Sequence, residues 1–306
     1  MISSDALKGL FAPPMTLFKP SHRPTTPIII NIPHSGRSYP QPFLDSSRLT
    51  PLLLRKSEDA YIDVLLKDVA AMGLPMLTAH FPRAWLDVNR EPFELDPLLF
   101  RDALPSYANH QSSRVIAGLG TIPRVVGENL GIYRDKLNLE EGLSRIYTYY
   151  EAYHAALASL IFETRTYFGW CLVLDFHSMP TPALGSRHMP HIVLGDRFGY
   201  SCDAQIRVAF EKICYSQGLS VIRNQPYAGG FITKFYGQPH LGQHVLQIEI
   251  ARELYMDQKN IDLNQGFNVL QRRLMNVIET ICEQLKVLTP QTLHGHKSFP
   301  HPLAAE

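Results

Sequence analysis

Two short apolar runs, each followed closely by a His-Ser pair, constrain the fold of this chain more than any other feature. Residues 27–33 end directly before His34, and residues 170–174 lead through Asp175 to His177. Runs of this length, rich in Ile, Leu and Val, predict buried strands. Because α/β proteins place ligands beyond the carboxyl ends of such strands, we expect the two histidines to face one site.

The rest of the chain alternates between strand and helix patterns. The order strand, helix, strand over residues 27–80 predicts a parallel pair joined by a crossover. Further strands are predicted at 170–176, 191–195, 219–223 and 244–250, and helices at 57–72, 139–167, 200–217 and 264–287. We therefore expect an α/β fold, a single domain with a central mixed, largely parallel sheet flanked by helices.

Three segments follow from this organisation. Residues 1–26 contain several prolines and little periodicity, so an extended N-terminal lead-in is expected there. Residues 27–288 are expected to form the domain that carries the site. Residues 289–306, rich in Pro and His, are expected to be a weakly ordered tail.

The composition limits the partners that the chain is expected to have. A formal net charge of +1 gives no electrostatic reason to bind nucleic acid or an anionic membrane. No stretch approaches the roughly 20 apolar residues that span a bilayer, and the N-terminus lacks the apolar core of a secretory signal. The cysteines are widely scattered and are expected to be reduced thiols. We therefore predict a cytoplasmic protein without nucleic-acid or membrane partners.

The strand-end histidines His34 and His177 predict a metal site. Neutral imidazole binds zinc well, and a nearby carboxylate often holds its second ring nitrogen. Asp175 lies two residues before His177, on the same face of the strand, and is a candidate for that contact. The alternative is a buried His177 that hydrogen-bonds Asp175 or Ser178 without a metal. The occurrence of His34 in the same context favours the metal.

The third ligand of such a site must come from another segment. A catalytic zinc usually takes three protein ligands and leaves one position for water. His34 is not followed by a glutamate at the third position, where Arg37 stands instead. Asp59 and Asp63 are four residues apart in the predicted helix 57–72 and would share one face. On the sequence alone, either aspartate can be the ligand. Alternatively, both only cap and solvate the start of the predicted helix.

Glu249 is a carboxylate near the end of the predicted strand 244–250. Apolar neighbours disfavour its charged form, which raises its pKa into a range useful for proton transfer. The sequence therefore predicts that Glu249 is suited to proton transfer. The alternative is a structural ion pair between Glu249 and Arg252.

Polar residues after the second strand predict a site for a carboxylate. Arg83, Asn89 and Arg90 lie close together there, and a guanidinium presents a planar fork that matches a carboxylate. Tyr227 belongs to a Gly-rich loop that can cover a ligand, although an ordinary surface turn is an equal alternative. Arg187 lies in a predicted turn after two prolines, where a solvated loop residue is the favoured interpretation, so it is only a second-rank candidate for substrate binding.

Several longer motifs resemble the N-formylglutamate amidohydrolase (N-formylglutamate deformylase) family. They occur in family order over roughly residues 27–260: NIPHSG at 31–36, LDVNR at 86–90, GLGTIPR at 118–124, LDFHSM at 174–179, GDRF at 195–198, PYAGG at 226–230, QIEIAR at 247–252 and LYMD at 254–257. The resemblance implies hydrolysis of N-formyl-L-glutamate to formate and L-glutamate, the last step of one bacterial route of histidine degradation. The implied partner is a small N-formyl amino acid.

This family is similar in turn to zinc carboxypeptidases and aspartoacylases, which implies a zinc-carboxypeptidase-like (phosphorylase/hydrolase-like) fold. By that likeness His177 is a metal ligand, Asn89 and Arg90 hold a carboxylate, and Glu249 is the general base. The carboxypeptidase pattern places a glutamate ligand where this chain has Arg37.

The hypothesis from the sequence is thus a metal-assisted amide hydrolysis. Zn²⁺, or another divalent transition metal, is expected between His34, His177 and either Asp59 or Asp63. Arg83 is expected to stabilise a second substrate carboxylate or the oxyanion. Two alternatives remain open: an amidohydrolase or peptidase for another N-acyl amino acid or small acidic peptide, and a non-catalytic binder of a carboxylate ligand.

Overall fold

The computed structural model describes residues 7, 9–22, 24–127, 130–181, 190–287 and 293. The strands are β1 (Met15–Phe18), β2 (Ile28–Ile32), β3 (Met76–Ala79), β4 (Val125–Val126), β5 (Leu130–Gly131), β6 (Cys171–Met179), β7 (Ile192–Gly195), β8 (Val221–Arg223), β9 (Gln243–Ala251), β10 (Met256–Asp257) and β11 (Asp262–Leu263). The α-helices are α1 (Gln41–Ser46), α2 (Pro51–Arg55), α3 (Ile62–Leu65), α4 (Ser113–Ile116), α5 (Leu139–Arg145), α6 (Glu151–Phe168), α7 (Ala204–Ser216), α8 (Phe231–Tyr236) and α9 (Phe267–Leu285). A π-helical turn, Ile146–Tyr150, joins α5 to α6, and 3₁₀ turns lie at Lys67–Met72, Pro239–Leu241 and Arg252–Leu254.

Seven strands form one mixed sheet in the order β1-β3-β2-β6-β9-β7-β8. Strand β2 pairs in parallel with β3 and β6, and the central strand β6 also pairs in parallel with β9. Strand β1 runs antiparallel to β3, and β7 runs antiparallel to β9. The predicted α/β domain with a mixed, largely parallel sheet is therefore confirmed. Strand β1 shows that the segment predicted as a lead-in supplies one edge of the sheet.

Helices cover both faces of this sheet because the buried strands alternate their side chains between two cores. Leu172 and Leu246 project to one face, where they belong to the same core as Leu274 of α9. Val173 and Val245 project to the other face, into a second core. That core includes these buried residues of the helical segment from α5 to α6: Ile146, Tyr149, Tyr150, Tyr153, Leu157, Leu160 and Ile161. The central strands are consequently buried on both sides, as their apolar runs predict.

The predicted helix 57–72 is wrong in its first turn. Tyr61 has the left-handed φ of 65°, and helical structure begins only at Ile62. Tertiary contacts hold the preceding residues in an irregular segment: the Asp59 N–H donates to the His34 carbonyl at 3.0 Å, and the Ser35 hydroxyl donates to the Asp59 carbonyl at 2.8 Å. These bonds tie the segment to the loop after β2, so Asp59 and Asp63 do not share a helix face.

The domain boundaries at residues 26 and 288 stay predictions. The predicted tail, residues 289–306, lies outside the described residues apart from Leu293. Within the described ranges, no helix combines the length and the apolar character that a membrane crossing requires.

Candidate metal centre and active-site cleft

Three parallel strands bring the candidate side chains to one edge of the sheet. His34 lies just beyond the end of β2, and His177 and Glu249 lie near the ends of β6 and β9. His177 and Glu249 are direct partners in the register of these two strands. Since paired residues of neighbouring strands project to the same face, both side chains face one crevice at the carboxyl ends of the strands.

Three buried ligand atoms face one another in this crevice. The Nδ1 atoms of His34 and His177 are 3.2 Å apart. The Oδ2 atom of Asp59 lies 3.0 Å from Nδ1 of His177 and 3.3 Å from Nδ1 of His34. All three residues are buried, and among the described residues they form the one His, Cys, Asp or Glu group with ligand atoms in such mutual reach.

Two further carboxylates set the tautomers of the histidines. Nε2 of His34 lies 2.8 Å from Oδ1 of Asp87, and Nε2 of His177 lies 3.1 Å from Oδ2 of Asp175. A carboxylate accepts a hydrogen bond, so with the hydrogen on each Nε2 the two Nδ1 atoms would be left with lone pairs for a metal ion. Without a metal, Oδ2 of Asp59 can also accept a hydrogen bond from Nδ1 of a protonated His177. The predicted contact between Asp175 and His177 is present.

The spacing of the three atoms fits a divalent metal ion. Nitrogen and oxygen ligands bind zinc at about 2.0–2.2 Å, which separates tetrahedral ligands by about 3.3–3.5 Å. The Asp59 oxygen lies at 3.0 and 3.3 Å from the two nitrogens, so an ion at the centre requires only a small outward adjustment. Imidazole and carboxylate ligands suit zinc and several other transition metals. The cluster of His34, Asp59 and His177 is therefore suited to hold a metal ion.

The charges around this cluster also favour a cation. Burial would raise the pKa of Asp59, yet its hydrogen bonds with His177 and His34 hold that pKa well below its usual value. Burial would lower the pKa of His177, but the charge and hydrogen bond of Asp175 and the hydrogen bond of Asp59 raise it well above its usual value. The raised pKa of His177 thus keeps a proton at this cluster, which a bound metal ion would displace.

Glu249 is buried close to the cluster. Its Oε1 accepts a hydrogen bond of 2.8 Å from Nε2 of Gln247, two residues earlier on the same strand face. Burial raises the pKa of Glu249 to about 7, although the charge of His177 opposes the rise. Arg252, the alternative ion-pair partner, instead lies 3.4 Å from Oδ1 of Asp59. A carboxyl group with this pKa can both accept and donate a proton near neutral pH.

Of the two candidate third ligands, the structure brings Asp59 into the cluster and leaves Asp63 outside. Oδ1 of Asp63 forms an ion pair of 2.9 Å with NH1 of Arg37, and both side chains are partly exposed. Arg37, which stands where a glutamate ligand would be expected, thus binds the other candidate carboxylate. Asp63 is therefore not part of the group formed by His34, Asp59 and His177.

A cleft of about 1040 Å³ opens beside the cluster, and its lining is rich in cations. Nε of Arg83 donates to Oδ2 of Asp87 at 2.8 Å, and Arg90 donates to the carbonyls of Leu119 and Asn89 at 3.0 Å each. Burial lowers the pKa of Arg90 to about 10, so it keeps its charge at neutral pH. The charged residues of the lining are Arg55, Lys56, Glu58, Arg83, Asp87, Arg90, Arg252 and Lys259.

Asn89 lies under the cleft wall, and its side-chain contacts are internal. Its Oδ1 accepts a 2.8 Å hydrogen bond from the backbone N–H of Ile232, and its Nδ2 lies 3.3 Å from Nε2 of His177. A Cβ on Gly230 would approach the Asn89 side chain to 2.4 Å, so glycine is required there. This placement connects Asn89 to helix α8, and its assignment as half of a carboxylate clamp stays a prediction.

The two remaining candidates have different outcomes. Tyr227 lines the cleft, as expected for a residue that contacts a ligand. Arg187 lies outside the described residues, so its assignment to substrate binding stays a prediction.

Sequence reasoning missed the role of Asp87. This carboxylate accepts hydrogen bonds from His34, from Arg83 and from the backbone N–H of Asn89. The sequence feature that could have indicated this role is the position of Asp87 between Arg83 and Arg90. A carboxylate that joins a histidine of the cluster to an arginine of the cleft couples the two halves of the site.

Replacement of Asp87 by asparagine is expected to weaken metal binding about 10–100-fold, because the neutral amide no longer fixes the His34 tautomer. Competition with a chromophoric chelator measures the change. Asp96→Asn is a matched control: Asp96 is equally buried, accepts from an arginine Nε (Arg124, 2.6 Å) and from the N–H two residues later, but contacts no histidine. Equal metal affinities in the two variants would exclude this role for Asp87.

The comparisons with known proteins agree with this geometry. The chain is 28% identical over 242 residues to an N-formylglutamate deformylase of Pseudomonas aeruginosa, covering 78% of this chain and 85% of that protein. It is 26% identical over 271 residues to an N-formylglutamate deformylase of Pseudomonas putida, covering 84% and 94%. The crystal structure of N-formylglutamate amidohydrolase from Ralstonia eutropha JMP134 superposes with a TM-score of 0.83 at 34% identity, over 89% of this chain and 98% of that one.

The fold, the strand-end site and these relatives together define an enzyme of the amidohydrolase class. The family model described as N-formylglutamate amidohydrolase matches residues 26–256, which is well over half of the chain. The chain belongs to the N-formylglutamate amidohydrolase family. The resemblance drawn from its motifs is thereby confirmed.

Proposed function

We propose that this enzyme hydrolyses N-formyl-L-glutamate to formate and L-glutamate at a divalent metal ion, with zinc as the first candidate. The observation that carries the proposal is the triangle of two Nδ1 atoms and one Oδ2 atom, next to a buried carboxyl group and at the wall of a cationic cleft. The relatives named as deformylases support the same substrate.

His34, His177 and Asp59 would hold the ion through Nδ1, Nδ1 and Oδ2. When bound, a divalent ion supplies a Lewis acid for the formyl oxygen and lowers the pKa of water towards about 7. Asp87 and Asp175 keep each imidazole in the tautomer that directs its Nδ1 lone pair at the ion. Three protein ligands leave a position open to water or substrate, as catalytic sites require.

Glu249 would carry the proton during hydrolysis. Its carboxylate takes a proton from the attacking water and passes it to the amide nitrogen as the bond to the formyl carbon breaks. A pKa of about 7 suits both transfers, because the group is neither too weak a base nor too weak an acid. The hydrogen bond from Gln247 leaves the second carboxyl oxygen of Glu249 available for this exchange.

Arg83 and Arg90 would bind the substrate carboxylates. Both line the cleft, and both are anchored by other residues through part of the guanidinium group. Anchoring restricts the rotamers of these side chains before substrate binds, which lowers the entropic cost of binding. A substrate without the matching carboxylate would leave the remaining guanidinium N–H groups of these arginines without an acceptor, and this penalty provides selectivity.

The test is release of formate from N-formyl-L-glutamate by the zinc-loaded enzyme, measured with and without a chelator. We expect turnover that the chelator abolishes and zinc restores, and slower turnover of N-formyl-L-aspartate and N-acetyl-L-glutamate. Faster turnover of the acetyl compound or of an acidic peptide would assign another substrate to the same site. Absence of chelator-sensitive turnover on all of these compounds would refute the metal-hydrolase proposal.

A further inference from the structure

The two oxygens of the Asp59 carboxylate have separate environments. Oδ2 faces the two histidine nitrogens, whereas Oδ1 accepts a hydrogen bond of 3.1 Å from the Ser178 hydroxyl. NH2 of Arg252 lies 3.4 Å from the same Oδ1. Ser178 and Arg252 are themselves connected, because Nε of Arg252 donates to the Ser178 hydroxyl at 3.0 Å. Oδ1 of Asp59 is thus held by a hydroxyl and a guanidinium group, whereas Oδ2 is directed at the histidines.

Arg252 also fixes the backbone that carries Asp59. Its NH2 donates to the carbonyl of Glu58 at 2.6 Å and its NH1 donates to the carbonyl of Lys56 at 3.1 Å. The arginine begins the 3₁₀ turn directly after strand β9. It therefore connects the end of the strand that bears Glu249 to the irregular segment before Tyr61. Within that segment the Asp59 N–H donates to the distant carbonyl of His34, so the direction of the Asp59 side chain depends on tertiary contacts.

The positive charge of Arg252 lies close to a group of buried carboxylates. Besides Asp59, the carboxylates of Asp87, Asp175 and Glu249 surround the histidines in a nearly solvent-free region. Among the described residues, Arg252 is the one Arg or Lys that forms an ion pair with Asp59. Its side chain is only 11% exposed, so solvent screens the interaction weakly.

We propose that Arg252, acting with Ser178, is a positioning residue that makes Asp59 bind the metal through one oxygen. Because Oδ1 is occupied by the hydroxyl and the guanidinium, Oδ2 alone is free to face the two Nδ1 atoms. A one-oxygen ligand leaves more of the coordination sphere to water and the substrate carbonyl than a two-oxygen ligand does. The inference rests on the proposed metal site. It assigns Arg252 to the orientation of Asp59 rather than to substrate binding, although Arg252 also lines the cleft.

The experiment compares the zinc dissociation constants of Arg252→Gln, Ser178→Ala and the wild-type enzyme by competition with a chromophoric chelator. We expect Arg252→Gln to bind zinc about 10–100-fold more weakly, the range typical of groups that orient a metal ligand. Ser178→Ala is expected to shift the constant in the same direction by a smaller factor. Arg48→Gln is the matched control, because Arg48 also donates to two backbone carbonyls, of Tyr133 and Arg134, but touches no residue of the cluster.

Three outcomes would overturn the proposal. The first is an unchanged zinc constant in Arg252→Gln together with a raised KM for N-formyl-L-glutamate at saturating zinc, which would make Arg252 a substrate contact. The second is an equal loss of zinc affinity in Arg48→Gln, which would indicate a general effect of lost backbone anchoring. The third outcome applies if Arg252→Gln does not fold: Ser178→Ala then tests the proposal, and an unchanged zinc dissociation constant in that variant would overturn it. Failure of the proposed function would instead be seen in the wild-type enzyme itself, which would then bind no zinc or release no formate.

Discussion

Replacement of Asp59 by asparagine is expected to remove most of the zinc affinity of this enzyme. The change keeps the shape of the side chain but eliminates the one negative ligand that faces two neutral imidazoles in a buried site. We expect the zinc dissociation constant to rise by more than about 10²-fold, beyond the range typical of groups outside the ligand set. Zinc content after gel filtration and chelator competition measure the loss, and formate release at limiting zinc should fall with it.

Asp63→Asn provides the control for this prediction, since it makes the same chemical change four residues further along. Asp63 pairs with Arg37, and the two side chains are 25% and 43% exposed, so the pair contributes at most about 1 kcal/mol to stability. We expect its zinc affinity and formate release to stay close to the wild-type values. A similar loss of zinc in both variants would contradict the choice of Asp59 as the ligand.

Replacement of Glu249 by glutamine is expected to slow formate release by about 10²–10⁴-fold, because the amide cannot accept the proton of the attacking water. The local structure should persist, since the new side-chain carbonyl can still accept the hydrogen bond from Gln247. The loss should therefore appear in kcat, with zinc affinity and substrate binding largely unchanged. Single-turnover rates and equilibrium binding of N-formyl-L-glutamate to the zinc-loaded variant separate these quantities.

Two results would contradict the role of Glu249. Unchanged turnover would remove Glu249 from the mechanism and would assign the proton transfer to another group. A loss of zinc equal to that of Asp59→Asn would show that Glu249 acts on the metal rather than on the proton.

The positions of His34, His177 and Glu249 could be predicted because each follows from the apolar run beside it. A run such as residues 170–174 is too short for a helix and too apolar for a surface strand, so a buried strand is the remaining solution. The residue at the end of a buried parallel strand then lies at the ligand-binding edge of the sheet. The pairing of His177 with Asp175 follows from the two-residue repeat of the strand, which depends only on local geometry.

The roles of Asp59, Asn89 and Arg252 could not be predicted, because they depend on contacts between distant segments. Helical spacing made Asp59 and Asp63 equivalent, but hydrogen bonds to the loop after β2 and the left-handed Tyr61 separate them. Asn89 is polar and near two arginines, yet the backbone of helix α8 takes up its side-chain oxygen. Arg252 has a carboxylate neighbour three residues away in sequence, but it pairs with one almost two hundred residues away.

By itself, the sequence determined the class of fold, the family, the strand-end histidines and the candidate base, because hydrophobic periodicity and contiguous motifs are local properties of the chain. Only the tertiary structure decided which aspartate joins the histidines, which carboxylates fix their tautomers and which arginine faces which partner. The physical reason is that a metal cluster requires atoms from separate segments to converge within about 3.5 Å. That convergence depends on how the loops after the strands pack against one another, which no spacing along the chain encodes.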